Sequence, residues 1–285
     1  LLSAGTKTLN SIRGDRIAYV FQNPQDSLDP VYTVGSQLVE AIRLHRDVSK
    51  DAARRRAIEL LDRVGIPNPA ERFDEYPHEF SGGMKQRVVI AMALSCEPDL
   101  LVADEPTTAL DVTTQSGILH LLKTLQAERD MAVLFVTHDL GVVAQVADRV
   151  VVLYAGKVME RADVFDIFDR PAHPYTDALL DSVPRRGWTP KPIGGSLPDP
   201  TDPPDGCRFH PRCPHATDDC RSESQPPLRA LEGDGHRVSC VYYDDDAEPG
   251  PWTNRTRQQK RRRRRRLRWK EPTNVRSGRI DHDTR

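Results

Sequence analysis

Three groups of residues in the middle of this chain have the types and spacing to handle a polyphosphate. Ser81-Gly82-Gly83 stands directly ahead of a run with helical spacing. A hydroxyl and close backbone N–H groups at a helix N-terminus make an anion site. Asp104-Glu105 ends the apolar stretch 100–103. There Asp104 can hold Mg²⁺ through water, and Glu105 can polarise an attacking water. His138 ends the next apolar stretch. Its imidazole can donate a hydrogen bond to a terminal phosphate and release it after hydrolysis. Taken singly, each has a plainer reading: Ser81 as a helix cap, and Asp104 and Glu105 as surface carboxylates.

Positioning these groups requires strands that end together and helices that start beside them. Residues 16–21 (RIAYVF) read as a short apolar strand. Residues 34–45 and 52–64 carry helical apolar spacing, and Gly65 and Pro67 end the second helix. The run 100–103 is continuously apolar, as in a parallel strand buried on both faces. Then come a helix over 113–129, a buried strand over 132–136, and a helix over 139–147. A strand over 150–154 closes through Ala155-Gly156 into 157–160. Strand–helix–strand alternation predicts a parallel α/β sheet.

At 285 residues the chain holds one sizeable domain plus an appendage. No run of about 18 apolar residues is present to span a membrane, and no signal peptide is visible. The net charge of −1 hides two regions. Residues 251–285 hold 14 Lys and Arg against 3 Asp and Glu. The first 250 residues keep 27 of the 41 basic and 39 of the 42 acidic residues, a net of −12. An acidic body of this kind suits a high-salt cytoplasm but also occurs in ordinary proteins.

In this order the motifs resemble the ATPase subunits of ABC transporters. FSGGMKQR is similar to the signature, with Phe80 and Met84 as departures; LLVADEP is similar to Walker B, ALD to the D-loop, THD to the switch histidine and Phe21-Gln22-Asn23-Pro24 to the Q-loop. The resemblance implies an α/β fold of the P-loop NTPase type: a RecA-like parallel sheet core with a helical subdomain over about 31–95. It implies ATP and Mg²⁺, with Gln22, Glu105 and His138 catalytic and Asp104 holding the metal through water. Ser81, Gly82, Gly83, Gln86 and Asp111 are implied around nucleotide, with Ser81 and Gly83 reaching a partner's ATP and Asp111 crossing the interface. The implied partners are a second ABC ATPase subunit, identical or not, two transmembrane permease subunits and, indirectly, an extracytoplasmic solute-binding protein. No nucleic acid is implied, and the implied location is the cytoplasmic face of the cell membrane.

No G-x-x-x-x-G-K-[ST] cradle occurs: Gly156-Lys157 is followed by Val158, and Gly5-Thr6-Lys7-Thr8 has the wrong spacing. In the family this loop precedes the Q-loop by some tens of residues, and here the chain opens on Leu1. The expectation is a chain that has lost its N-terminal part, and with it tight ATP binding by itself. The rivals are a soluble ABC ATPase of DNA repair or translation, which would carry coiled-coil insertions or tandem ATPase units, and a non-catalytic fragment that pairs with another subunit.

From about residue 168 the character changes. His173-Pro174-Tyr175-Thr176 opens a short helix and resembles the C-terminal extension of oligopeptide and dipeptide importer ATPases. The expected division is a partial ATPase domain over 1–165, the extension over 166–245 and a disordered basic tail over 246–285. Residues 184–206 read as a Pro-, Gly- and Asp-rich linker. Cys96 reads as a packed core thiol. Cys207, Cys213, Cys220 and Cys240, spaced C-x5-C-x6-C-x19-C, fall in a segment too polar to fold on its own core. Disulfides, zinc, an iron–sulfur cluster and no metal compete. GCRFHPRCP is similar to importer ATPases, some of which carry such a cluster, so [4Fe-4S] is expected with Zn²⁺ as the alternative. His210, His215 and His236 read as surface residues. KRRRRRRLRWK (260–270) admits nucleic-acid or membrane binding, a solvated tail, or out-of-frame translation.

Overall fold

The computed structural model describes residues 1–243 except Leu2, Gln25, Ala109, 185–188, Glu223 and 232–234. The basic tail lies outside the described residues. The chain divides into two compact units with the break after Val146, earlier than the expected boundary at 165.

The first unit begins with α1 (Thr6–Ile12) and β1 (Ile17–Val20), followed by α2 (Val34–His45), α3 (Lys50–Arg63), α4 (Pro69–Arg72) and α5 (Gly82–Ala93). It continues through β2 (Leu100–Asp104), α6 (Val112–Arg129), β3 (Ala132–Val136) and α7 (Leu140–Val146). Its long helices start where a side chain can satisfy free N–H groups. Thr33, Ser49, Ser81 and Asp111 are N-caps accepting from the first turns of α2, α3, α5 and α6. Leu38, Leu60 and Leu61 of α2 and α3 join Val88 and Ile90 of α5 and Ile118 of α6 in one core against Ala18, Val20 and Leu101 of the sheet.

The strands form a parallel sheet in the order β1-β2-β3. Register decides which side chains meet the helices. Ala18 pairs with Leu101 and Val20 with Ala103, all buried. The alternate set faces the other way: Tyr19 pairs with Val102, Val102 with Leu134, and Asp104 with Val136. Tyr19, Leu134 and Val136 are exposed, Leu134 by 53%. The expectation that β2 and β3 are buried on both faces is therefore corrected. The apolar composition is that of a doubly covered strand, but the described helices cover only one face.

The second unit starts with β4 (Arg149–Tyr154) and β5 (Lys157–Asp163). They pair antiparallel, so β4 is not a further parallel strand. The two-residue loop has φ +45° at Ala155 and +75° at Gly156. Positive φ at both positions is a type I′ turn, whose twist matches a hairpin. Glycine adopts it freely, while Ala155 is strained by about 1 kcal/mol. Then follow α8 (Val164–Asp169), α9 (Pro174–Ser182), β6 (Arg229–Ala230) and β7 (Arg237–Val238), giving a sheet ordered β4-β5-β7-β6.

Beyond α9 the chain builds a small core with the hairpin. Phe209 is fully buried, with ring centroids 5.3 Å from Tyr154 and 5.1 Å from Tyr175, and Met159, Cys207 and Cys220 pack around it. The expectation of a segment without a core is corrected: it borrows apolar side chains from β4, β5 and α9. Among the described residues no helix is long and apolar enough to cross a membrane.

Candidate active site

Parallel strands share one carboxyl end, and in open α/β sheets ligands bind there. Gln22 lies two residues past β1, Glu105 one past β2 and His138 two past β3. Glu105 is the meeting point. Its backbone N–H donates to the Val136 carbonyl at 2.9 Å, which ties the end of β2 to β3. Gln22 Nε2 donates to Glu105 Oε2 at 2.8 Å, and His138 Nδ1 lies 2.8 Å from Glu105 Oε1. An ionised carboxylate only accepts, so Nδ1 carries the proton of that contact. Thr108 Oγ1 donates to Oε2 at 2.9 Å. The His138 contact, then the Thr108 hydroxyl, hold the Glu105 carboxyl below its usual range, against a smaller upward push from burial.

Glu105 has a backbone φ of +44°. Glutamate rarely adopts the left-handed region, and such strain collects where a side chain must be aimed. Next to it, Tyr19 Oη donates to Asp104 Oδ2 at 2.7 Å. That hydrogen bond is the main reason the Tyr19 hydroxyl is pushed above its usual pKa. A cleft of about 800 Å³ opens here, lined by Tyr19, Gln22, Asn23 and Asp104 on one side and Leu44 and Met92 on the other. Its size lies within the usual range for small-molecule sites. Tyr19 and Thr108 were not anticipated. Thr108 was readable in principle, since it follows Glu105 by three residues across a proline.

Ser81, Gly83 and Asp111 form a second group, with no hydrogen bond to the first among the described residues. Ser81 Oγ accepts from Met84 N at 3.3 Å, so the plain helix-cap reading holds alongside any other role. Gly82 opens α5 with nothing near the place of a side chain. A Cβ on Gly83 would stand 2.5 Å from Thr114 Cγ2. Asp111 Oδ1 accepts from Thr113 N and Thr114 N, each at 3.0 Å, and Oδ2 accepts from Thr114 Oγ1 at 2.6 Å. The Thr114 contacts lead in lowering the Asp111 pKa. Gln86 is only 1% exposed, on the inner side of α5, and its Nε2 has no partner among the described residues. Its expected contact with nucleotide does not match that position.

Cys207, Cys220 and Cys240 are buried and Cys213 partly so. Cys207, Cys213 and Cys240 are each made harder to ionise. Burial first, then neighbouring thiols, push Cys240 up to about 12 and Cys213 to about 11. Cys207 and Cys220 are joined through the backbone, Cys207 N to Cys220 O at 3.0 Å. Gly206 has φ +64°, and a Cβ there would collide with the Cys220 carbonyl. Yet among the described residues no three His, Cys, Asp or Glu side chains stand where they could hold a metal ion. The ligand set expected for an iron–sulfur cluster or zinc is therefore not assembled among the described residues. Nor is His236 on the surface: it is buried, with Nε2 2.8 Å from Glu160 Oε1.

Residues 4–108 match the ABC transporter family, and residues 159–220 match the oligopeptide/dipeptide transporter C-terminal region. The chain is 52% identical over 245 residues to the dipeptide transport ATP-binding protein DppD of Bacillus subtilis (strain 168), covering 85% of this chain and 72% of that protein. It is 50% identical to the protein of the same name from Escherichia coli (strain K12), with 85% and 74% covered. Among solved structures it is similar to a dimeric ATP-binding cassette in a post-hydrolysis state bound to ADP and Pi. That match has 32% identity, a TM-score of 0.51, and coverage of 57% of this chain and 68% of the other. With half of its residues shared over most of both lengths, the chain belongs to the ATP-binding proteins of ABC transporters, in their oligopeptide/dipeptide group.

Proposed function

We propose that the chain is the ATP-hydrolysing subunit of an importer for peptides or similar solutes. The observation that carries this is one carboxylate, Glu105, held on both oxygens at the carboxyl ends of three parallel strands. Phosphoryl transfer to water asks a protein mainly for positioning and charge stabilisation. Glu105 aligns the water and takes its proton. Gln22 and His138 fix the carboxylate. While Nδ1 donates to Glu105, His138 donates to a phosphate through Nε2 only in its doubly protonated form. Asp104 is the residue that would hold Mg²⁺ through water, and the ion, when bound, offsets phosphate charge. Two such subunits enclose ATP between them, with Ser81, Gly82, Gly83 and Asp111 of one serving the nucleotide of the other. Two membrane-spanning permease subunits receive the motion at the cytoplasmic face, and an extracytoplasmic binding protein supplies the solute.

Replacing Glu105 by Gln tests this in the assembled transporter, with a G-x-x-x-x-G-K-[ST] loop supplied ahead of the Q-loop. Hydrolysis should fall roughly 10²–10⁴-fold, the usual contribution of one positioned base. ATP should still bind and hold the subunits together. Turnover at the wild-type rate would remove Glu105 from the role.

For the extension, the finer reading is a structural iron–sulfur cluster on Cys207, Cys213, Cys220 and Cys240. What supports it is four thiols gathered within one small unit. Their present arrangement does not fit the group, so side chains must turn and deprotonate to ligate it. Anaerobically purified protein should absorb broadly near roughly 400 nm, and paired Cys→Ser changes should bleach it. A colourless protein with stoichiometric zinc would select the alternative.

A further inference from the structure

Glu105, Pro106, Thr107 and Thr108 form a single turn, closed by Thr108 N donating to the Glu105 carbonyl at 3.1 Å. Proline at the second position presets such a turn. The fold-back returns the Thr108 side chain to the residue that opened the turn, and its hydroxyl reaches Glu105 Oε2 at 2.9 Å. Gln22 Nε2 already donates to the same oxygen at 2.8 Å. A carboxylate oxygen offers about two acceptor positions, so Oε2 is filled. Oε1 takes one donor among the described residues, His138 Nδ1. One acceptor position on Oε1 remains, on the open side, where His138 is 75% exposed.

We infer that Thr108 is a positioning residue that fixes which oxygen of Glu105 does the chemistry: Thr108 and Gln22 hold Oε2, and Oε1 receives the attacking water. The inference rests on the reading of Glu105 as the base and adds the orientation of its carboxylate. A base that is free to turn presents either oxygen, and only one of them lies beside His138. The strained Glu105 backbone fits this account. A φ of +44° is held by the Val136 contact on one side and by the Thr108 turn on the other. In this account the hydroxyl acts through the Glu105 carboxylate that it holds. Thr108 is exposed, so its loss leaves the core intact.

Thr108→Val keeps the shape and removes the donor; Thr108→Ser keeps the donor. In the assembled transporter, Thr108→Val should lower kcat about tenfold, in line with losing one hydrogen bond to a charged group. KM for ATP should change by less than about twofold, because a residue acting through Glu105 adds nothing to ground-state binding. Thr108→Ser should restore kcat. In a Glu105→Gln background, Thr108→Val should have no further effect, because its influence passes through the carboxylate. The chain alone gives a second readout. With ¹³C-labelled glutamate, Thr108→Val should move the Glu105 carboxyl resonance, and Thr108→Ser should leave it in place. A wild-type kcat in Thr108→Val beside an inactive Glu105→Gln overturns the inference while sparing the base. An unmoved carboxyl resonance overturns it whatever the transporter does. An active Glu105→Gln removes the base reading itself.

Discussion

Asp111 uses its two carboxylate oxygens differently: Oδ1 caps two N–H groups of α6, while Oδ2 takes the Thr114 hydroxyl. The two proposed roles, helix cap and organiser of the facing site, separate by substitution. Asparagine caps a helix about as well as aspartate, so Asp111→Asn should melt only slightly below wild type at neutral pH, the difference being the ionic part of the cap. It lacks the charge, and hydrolysis in the assembled transporter should fall on the order of tenfold. Asp111→Ala should lose both properties, as read by thermal melting beside turnover. The carboxylate's pKa is depressed in the folded chain, so its capping contribution is complete above the usual value of 3.8. It is lost as the pH falls below that through the folded value. At this scale the sequence shows residue types in order: Glu105 and His138 could be named because each follows an apolar strand, and Gln22 because Phe21-Gln22-Asn23-Pro24 resembles the Q-loop. What it does not show is direction. Gln86 follows the signature as a contact residue should, yet helical phase turns it inward on the face of Val89 and Ile90. Tyr19 reads as one more apolar strand position, and only the register places its hydroxyl on Asp104.

In the second unit, β5 and α9 are joined through one buried acid. Glu160 is fully buried, and its carboxylate accepts from Ala172 N at 2.7 Å and His173 N at 2.8 Å, just ahead of α9, as well as facing His236. His173 then caps α9, its Nδ1 accepting from Tyr175 N at 3.0 Å. The His173 ring is buried, and that burial depresses its pKa from 6.5 to about 3; the Ser239 backbone offsets this only in part. The unfolded chain therefore takes up a proton that the folded unit refuses. Stability is complete above about pH 6.5 and should fall between there and pH 3, at up to about 1.4 kcal/mol per pH unit. Urea unfolding at pH 7 and pH 5 should show the loss, and His173→Asn, which can still cap α9, should flatten it. Periodicity found α2, α6 and β3 almost residue for residue, because each has a regular apolar pattern. The closure of β4 through Ala155-Gly156 was legible, but a strand's pattern does not say which sheet it joins, and β4 and β5 pair outside the parallel one. Two-residue strands such as β6 and β7 have too little period to be read.

Across the whole molecule, the sequence is informative about composition and silent about coverage. The alternation of strand and helix was legible, and so was the family of motifs. Which faces are covered depends on contacts between distant segments. The row Tyr19, Leu134 and Val136 stands outward on a sheet whose edge strands, β1 and β3, are open among the described residues. Parallel sheets in stable proteins are covered on both sides, and open apolar edges recruit other chains. Purified alone, the chain should bind a hydrophobic dye such as ANS and sediment as larger species with rising concentration. Leu134→Lys with Val136→Glu should reduce both, while melting stays near wild type because these side chains leave the core untouched. In a cell the same surface becomes a matter of supply. Copies made in excess of whatever shields the row are the ones that aggregate or reach proteases first. Steady-state abundance of this chain is therefore expected to track the synthesis of its companions more closely than its own.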